Sequence, residues 1–421
     1  MTAASRDVLI VGAGSLGLST AIELRRRGAT VTVVDRFPAG VQTSARAAGQ
    51  SVLVQSDPNV ASLMRRSIER FIEYADEYQD RLRVYQVGSL KLALSNWAAT
   101  QIDREIQGAR AVGTTVEEVD LGTAATIAPH IDVSTVQRAW FTPEELYFQP
   151  TEMLAALVSS AERAGVRILS GISVQGFEKV GDRVVGVRTT DGVIQADRVV
   201  VTAGGWGPRL LATAGGALER LPVSLVRHQL TVRGPIPGIR RTLPLVRVID
   251  HAVYSRPDSD DTLVFGTYEP DPRVYEAGDI PDDLGDLPLD SSATQHALEA
   301  VGAVFPSVRD APMLKLRGGV VTMTPDGGYI VDEAPDSPGL FFLTGCNVRG
   351  LSVSPALGEG LAEWVSTGTR PESLEPYRLD RFDQRVADDS ELARARQEGI
   401  DFYGSIYQDE ESRAVTHGRH G

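Results

Sequence analysis

The chain has 421 residues, 42% of them hydrophobic and 23% charged, with a net charge of −14. This supports a sizeable core and two or three domains' worth of polypeptide, and the acidic balance disfavours a nucleic-acid binder. Cys346 is the only cysteine, which excludes an intramolecular disulfide and a cysteine-rich zinc site, and fits a reducing, cytoplasmic setting.

No uncharged apolar run is long enough to cross a bilayer. The run Val8 to Ile22 is interrupted by glycines, and no small-residue cleavage site precedes the charged residues 23–27. It reads instead as the start of a βαβ unit. Asp7–Val11 is a short buried strand. Gly12-Ala13-Gly14-Ser15-Leu16-Gly17 follows at once, a helix runs from about Ser15 to Arg27, and Gly28 stops it. Thr30–Val34 is the second strand, ending at Asp35. Gly12 permits the tight turn, Gly14 lets backbone approach a pyrophosphate, and Gly17 lets the helix pack on the strand. Asp35 lies 21 residues after Gly14, where a carboxylate accepts hydrogen bonds from an adenosine ribose and repels a 2′-phosphate. The unit is therefore a dinucleotide site; FAD and NAD both remain open.

Beyond Asp35 the simple βα alternation stops. Residues 42–50 are small and polar, suited to a loop pressed against a ligand. A helix is expected from about Asn59 to Gln79, a strand over Val87–Leu94, and helical and connecting segments over 97–128. Another helix is expected over Thr151–Ala164, then a strand over Val166–Leu169 and a hairpin from Val184–Thr189 and Gly192–Ala196. A buried strand begins at Asp197 and runs into the Ala203-Gly204-Gly205-Trp206 turn. Strand-like segments such as Leu225–Val232 and Thr262–Gly266 follow among Pro-rich loops. Gly339–Gly345 is a further strand and Pro355–Val365 a helix. The tail beyond about residue 385 is charged and apolar-poor, and its last ten residues read as disordered. The nucleotide-binding parts are expected at 1–88, 148–220 and 320–368. A second, mostly β substrate domain takes 89–147 and 221–319, and 369–421 is a C-terminal extension.

With Val11–Gly17, several short motifs resemble the D-amino-acid-oxidase superfamily, and within it the dimethylglycine/sarcosine dehydrogenase-oxidase group. They are Ala47-Ala48-Gly49, Ala203–Trp206, Arg227-His228-Gln229-Leu230, Tyr254-Ser255-Arg256-Pro257, Thr324-Pro325-Asp326-Gly327 and Thr344-Gly345-Cys346-Asn347. Each is weak alone; their order and spacing carry the resemblance. It implies a mixed α/β fold, with a discontinuous Rossmann-like FAD-binding domain and FAD lying against a β substrate domain. It also implies FAD contacts at Gly12, Gly14, Ser15, Leu16, Gly17, Asp35, Arg36, Ser44, Arg46, Ala48, Gly49, Val174, Ala203, Gly204, Trp206, Gly319, Gly350, Leu351 and Ser352. The group's covalent flavin attachment uses a histidine or a cysteine. Arg46 and Gly319 stand at those positions, so the expected FAD is noncovalent.

The chemistry implied is oxidation of a secondary or tertiary amine, of the N-methylated or cyclic amino-acid type. Hydride leaves the carbon next to nitrogen for flavin N5, and the imine hydrolyses. That needs a neutral amine and charge stabilisation at flavin N1–C2=O, a role suited to the backbone of 350–352 and the N-terminus of the 355–365 helix. His228 and Tyr254 stand where dimethylglycine oxidases keep an active-site histidine and tyrosine. They are the acid/base and orienting candidates, with His228 near its ordinary pKa. Ser352 and Val321 replace two carboxylate-binding residues of relatives, leaving either Arg349 as the local substitute or a substrate with no carboxylate in that position. His130, His251, His296, His417 and His420 show no metal spacing, and no metal is expected.

The chain is expected to end too early for a folate-binding region. The electron acceptor is oxygen or another carrier, and oligomeric state is open. The alternatives are a primary amino-acid oxidase of the glycine or D-amino-acid type, oxidation of a specialised-metabolite amine, and a flavoprotein subunit of an electron-transferring complex.

Overall fold

In the strand Asp7–Val11, Val8 and Ile10 enter one apolar cluster while Leu9 and Val11 enter another. A strand buried on both faces belongs inside a sheet covered on both sides. The computed structural model, which describes residues 7–78 and 81–406, places it there. A six-stranded sheet runs in the order Ile330–Glu333, Leu340–Thr344, Arg198–Val201, Asp7–Val11, Thr30–Asp35, Arg167–Ser170. All neighbours pair in parallel except the first two strands. The fold is mixed α/β with a Rossmann-like sheet.

Two helices cover one face. Ser15–Arg26 lies against Gly350–Thr367, and a Cβ on Gly358 would come within 2.8 Å of the Ser19 backbone. Glycine there lets the helix axes approach.

This second helix corrects the expected start at Pro355: it begins at Gly350, with Pro355 inside it. Proline removes the N–H that would bond the Leu351 carbonyl. The Ser354 hydroxyl donates to that carbonyl at 2.9 Å, so the turn survives. The expected helix from Asn59 spans Pro58–Glu77, capped by the Asp57 side chain; Gln79 lies outside the described residues. The expected 184–196 hairpin is present, and the strand Val174–Val180, which sequence reading passed over, joins it.

A nine-stranded sheet forms the other half. Its path is Val274–Tyr275, Ser224–Arg233, Thr262–Thr267, Val253–Ser259, Leu245–Val248, Ser89–Ala93, Arg138–Thr142 and Glu117–Val119, with Met313–Met323 also paired to Ser224–Arg233. One face packs on an apolar cluster that includes Leu92, Val246, Val248, Val253, Phe265, Leu298 and Phe305. The opposite face turns toward the first sheet.

The charged extension carries an element that the sequence reading left unassigned. Residues Asp389–Gly404 form a helix, with the Asp388 side chain accepting the Glu391 N–H at 2.9 Å. Leu392, Ala395, Gly399 and Tyr403 recur at helical spacing and are buried. The Phe402 ring lies over Gly327, where a Cβ would meet it at 2.2 Å. The last ten residues, with His417 and His420, lie outside the described residues.

Candidate active site

Between the two sheets lies a cavity of about 550 Å³. All nineteen positions expected to touch FAD line it, except Gly17. Gly17 acts beneath the helix: a Cβ there would sit 1.9 Å from the Gly12 carbonyl oxygen. Gly12 has φ +110, and a Cβ would meet the Thr202 carbonyl at 2.6 Å.

Asp35 sits under the first glycine turn. Its Oδ2 accepts the Ala13 N–H at 2.7 Å and its Oδ1 the Phe37 N–H at 2.8 Å. Burial pushes its carboxyl up, while those N–H groups pull it down. Each oxygen keeps lone-pair capacity for a ribose hydroxyl. The Arg36 guanidinium covers the Trp206 ring at 4.5 Å. Ser44 Oγ accepts the Ser15 N–H at 3.3 Å.

The residues fit FAD on a further ground. Trp206 Nε1, Thr344 Oγ1 and Gln50 Nε2 are buried without a hydrogen-bond partner among the described residues, and all three residues line the cavity. Buried polar atoms normally find partners. A polar ligand in this cavity would supply them.

A strained turn aims the second glycine motif. Asn347 and Val348 have φ of +44 and +61, a region costly for a β-branched residue. The buried Asn347 side chain holds the turn. Its Oδ1 accepts the Thr324 N–H at 2.9 Å, and its Nδ2 donates to the Gly345 carbonyl at 2.7 Å and the Gly328 carbonyl at 3.1 Å. The helix therefore opens at Gly350, Leu351 and Ser352 on the cavity wall, with Ser352 Oγ bonded to the Gln50 carbonyl at 2.5 Å.

The far end is a row across the large sheet. Lys91 pairs with Arg247, Arg247 with Tyr254, and Tyr254 with Gly266. Paired residues share a face. Gly266 matters because the Tyr254 ring lies over it, within 2.2 Å of where a Cβ would stand. His228 Nε2 is 2.8 Å from the Tyr254 hydroxyl, and His228 Nδ1 is 2.8 Å from the Tyr403 hydroxyl. Tyr268 stacks on the imidazole at 5.3 Å.

His228 thus reaches the cavity through Tyr254, since both ring nitrogens lie at hydrogen-bond distance from tyrosine hydroxyls. Desolvation also pushes its pKa down to about 4 rather than leaving it near its ordinary value. His228 is a neutral link in a tyrosine–histidine–tyrosine chain.

Arg349 lines the cavity, but its Nη2 donates to the Gly327 carbonyl at 2.8 Å and its Nη1 to Gln55 Oε1 at 3.3 Å. These two bonds tie it between two loops. Arg247 was missed. It is buried at the cavity wall, donates to Gln50 Oε1 at 2.5 Å and neighbours Tyr254. Beneath it Glu145 is fully buried, accepting the Leu53 and Val54 N–H groups at 2.7 and 3.1 Å. Burial pushes the Glu145 carboxyl up, against the pull of Lys91 and Arg247. Arg256, also missed, is buried and donates from Nε to the Ala48 carbonyl at 2.5 Å, bracing the Ala47-Ala48-Gly49 loop. Tyr403 was missed because it lies in the tail. The period of residues 392–403 and the Asp388/Glu391 cap were the available signals.

Arg46 donates to the Val41 carbonyl at 2.6 Å beside the cavity. Cys346 is half-buried on the cavity wall. No group of three metal-ligating side chains exists among the described residues, nor a helix long and apolar enough to cross a membrane.

Burial lowers the pKa of His130 to about 4, as it does for His228. Between about pH 6.5 and 4 the unfolded chain binds protons that these folded-state histidines do not, so their contribution to stability falls as pH falls through that window. Urea unfolding should show this. His130→Gln should flatten the slope there by up to about 1.4 kcal/mol per pH unit. An unchanged slope would refute the assignment.

The family model described as DAO, FAD dependent oxidoreductase, matches residues 7–364. The 4-methylaminobutanoate oxidase (formaldehyde-forming) of Paenarthrobacter nicotinovorans is 25% identical over 415 residues, covering 96% of this chain and 50% of that protein. Mitochondrial sarcosine dehydrogenase of Homo sapiens is 27% identical over 402 residues, covering 93% and 43%. The chain thus spans about half the length of these relatives. Glycine oxidase of Geobacillus kaustophilus is 26% identical over 389 residues, covering 90% and 98%. Among solved structures, L-proline dehydrogenase from P. horikoshii superimposes with a TM-score of 0.80 at 22% identity, covering 90% of this chain and 98% of that one.

Proposed function

This chain belongs to the DAO family of FAD-dependent oxidoreductases, and on that premise we propose that it oxidises the C–N bond of a secondary or tertiary amine bearing a carboxylate, of the N-methylated or cyclic amino-acid type. The observation that carries this reading is the Arg247–Tyr254 pair on the wall of the same cavity that the Gly12–Asp35 cradle opens into. A cation beside a phenol hydroxyl is suited to a carboxylate. Relatives named for methylaminobutanoate and sarcosine agree with it.

Bound FAD supplies the hydride acceptor, and water hydrolyses the released iminium to a carbonyl compound and an amine. We assign 1–88, 148–220 and 320–368 to the FAD-binding domain and 89–147 and 221–319 to the substrate domain. Gly12, Gly14 and the N-terminus of the Ser15 helix would hold the pyrophosphate, and Asp35 would hold the ribose. The opening N–H groups of the Gly350 helix would stabilise negative charge that develops on a bound flavin. Arg247 and Tyr254 orient the substrate. The low-dielectric wall favours an uncharged amine over an ammonium. Arg46 and Gly319 leave no attachment point where relatives bond flavin, so FAD is held noncovalently, and acid precipitation should release all the yellow colour into the supernatant.

A second reading, oxidation of a primary amino acid, draws on the match along nearly the whole of a glycine oxidase. Anaerobic titration decides between them. Sarcosine, dimethylglycine or proline should bleach the flavin absorbance. Bleaching by glycine or a D-amino acid alone would favour the second reading. No bleaching by any, with the flavin reducible by dithionite, would overturn both in favour of a specialised-metabolite amine or an electron-relay subunit.

A further inference from the structure

We propose that Tyr403, delivered by the C-terminal helix, is a positioning residue that places the His228 proton on Nε2 and thereby turns the Tyr254 hydroxyl proton toward the cavity. A neutral imidazole carries one N–H and one bare nitrogen. His228 touches a tyrosine hydroxyl with each, at 2.8 Å. Only two hydrogen-bond chains are possible. In the first, Tyr403 donates to Nδ1, Nε2–H donates to the Tyr254 oxygen, and the Tyr254 proton is left over. In the second, Tyr254 donates to Nε2, Nδ1–H donates to the Tyr403 oxygen, and the Tyr403 proton is left over.

The surroundings of the two phenols separate these cases. Tyr403 is 0% exposed, and its hydroxyl has no hydrogen-bond partner other than His228 Nδ1 in the side-chain network of the described residues. Burial pushes the Tyr403 phenol up; of the Glu269 groups near it, the carboxylate, whose hydrogen bond goes to Arg227, pushes it up further, and the backbone N–H, a donor, pulls it down. The second chain would therefore strand a buried hydroxyl proton. The first strands nothing once a ligand is bound, because Tyr254 lines the cavity and a ligand there can accept its hydroxyl proton. Desolvation, which keeps the imidazole neutral, preserves the choice between tautomers across neutral pH.

The helix is built to deliver this hydroxyl. Gly399 and Gly404 bring its backbone onto the chain near Met323 and Pro270, where Cβ atoms would lie 3.3 and 2.9 Å from their carbonyl oxygens. The Ser224 hydroxyl, on the strand that carries His228, donates to the Arg396 carbonyl at 2.6 Å.

The consequence is chemical selectivity. Tyr254 presents a donor to the cavity beside Arg247, so an acceptor such as a carboxylate oxygen is welcomed and an ammonium N–H is not. This last step rests on the amine-oxidising reading above; the tautomer does not.

The test is the long-range ¹H–¹⁵N spectrum of the FAD-loaded, ¹⁵N-histidine-labelled protein near neutral pH, with His228→Gln identifying the signals. His228 should show a protonated Nε2 and an unprotonated, hydrogen-bonded Nδ1. Tyr403→Phe removes the bias and should move both nitrogen shifts toward tautomer-averaged values. A protonated Nδ1 in the unmodified protein would overturn the proposal, as would a folded Tyr403→Phe protein with both shifts unchanged. The unmodified protein alone decides the tautomer if the variant does not fold. No turnover is needed, so a failed amine titration and a failed tautomer assignment are separate results.

Discussion

Gly17→Val is expected to yield protein without flavin. The Cβ alone would sit 1.9 Å from the Gly12 carbonyl oxygen and 2.7 Å from Thr202 Oγ1. The first obstacle is backbone, so no rotamer relieves it. The helix Ser15–Arg26 must lift from the strand Asp7–Val11. That disturbs the packing of Leu18 and Ile22 with Val8 and Ile10 in one buried cluster, a cost of about 1–3 kcal/mol for an overpacked core. It also carries the helix N-terminus away from the pyrophosphate, where the N–H groups and the positive end of the dipole act over a single turn. Flavin content, read as visible absorbance per protein after gel filtration, should fall to background. Gly207→Ala is the matched control: its helical φ of −57 and the absence of any atom within 4 Å of a new Cβ leave nothing to displace. Full flavin content in Gly17→Val would refute the cradle assignment.

Arg247→Met should raise KM for a carboxylate-bearing amine about 100-fold while leaving the limiting rate of flavin reduction within a few-fold. Removing one partner of a buried charged hydrogen bond costs about 2–5 kcal/mol, and a group that binds ground state and transition state alike appears in KM. Methionine keeps the bulk of the stem. Glu145 below retains its two backbone N–H donors and the attraction of Lys91, which protects the fold. An amine without a carboxylate should lose nothing in the variant. Equal effects on both substrates, or none on either, would remove Arg247 from substrate binding and return attention to Arg349.

The two positions differ in how they could be found. Gly17 is legible because its role is set within a six-residue run and the strand and helix beside it. Arg247 is not. It stands in a strand where arginine looks like one of many in an arginine-rich chain. Only its register, Lys91 to Arg247 to Tyr254, shows that it shares a face with the tyrosine. His228 and Tyr254 were recognisable by motif, yet neither motif says that both imidazole nitrogens are occupied.

What the sequence determines by itself is the local chemistry: the glycine turn and Asp35, the βαβ start, the mixed α/β class, and the motifs that identify a flavin enzyme. These depend on residues a few positions apart, where backbone geometry and side-chain period are enough. Tertiary structure decided the rest. Ser354 relieves the Leu351 carbonyl, so the last glycine helix begins at Gly350 instead of Pro355. The polar tail becomes a helix whose Leu392, Ala395 and Tyr403 are buried against the fold, Tyr403 in a cluster with Val226, Val321 and Met323. Tyr403 meets His228 across 175 residues of chain. Desolvation, which sets the proton state of that histidine, is a property of the assembled interior and has no counterpart in any short stretch of sequence.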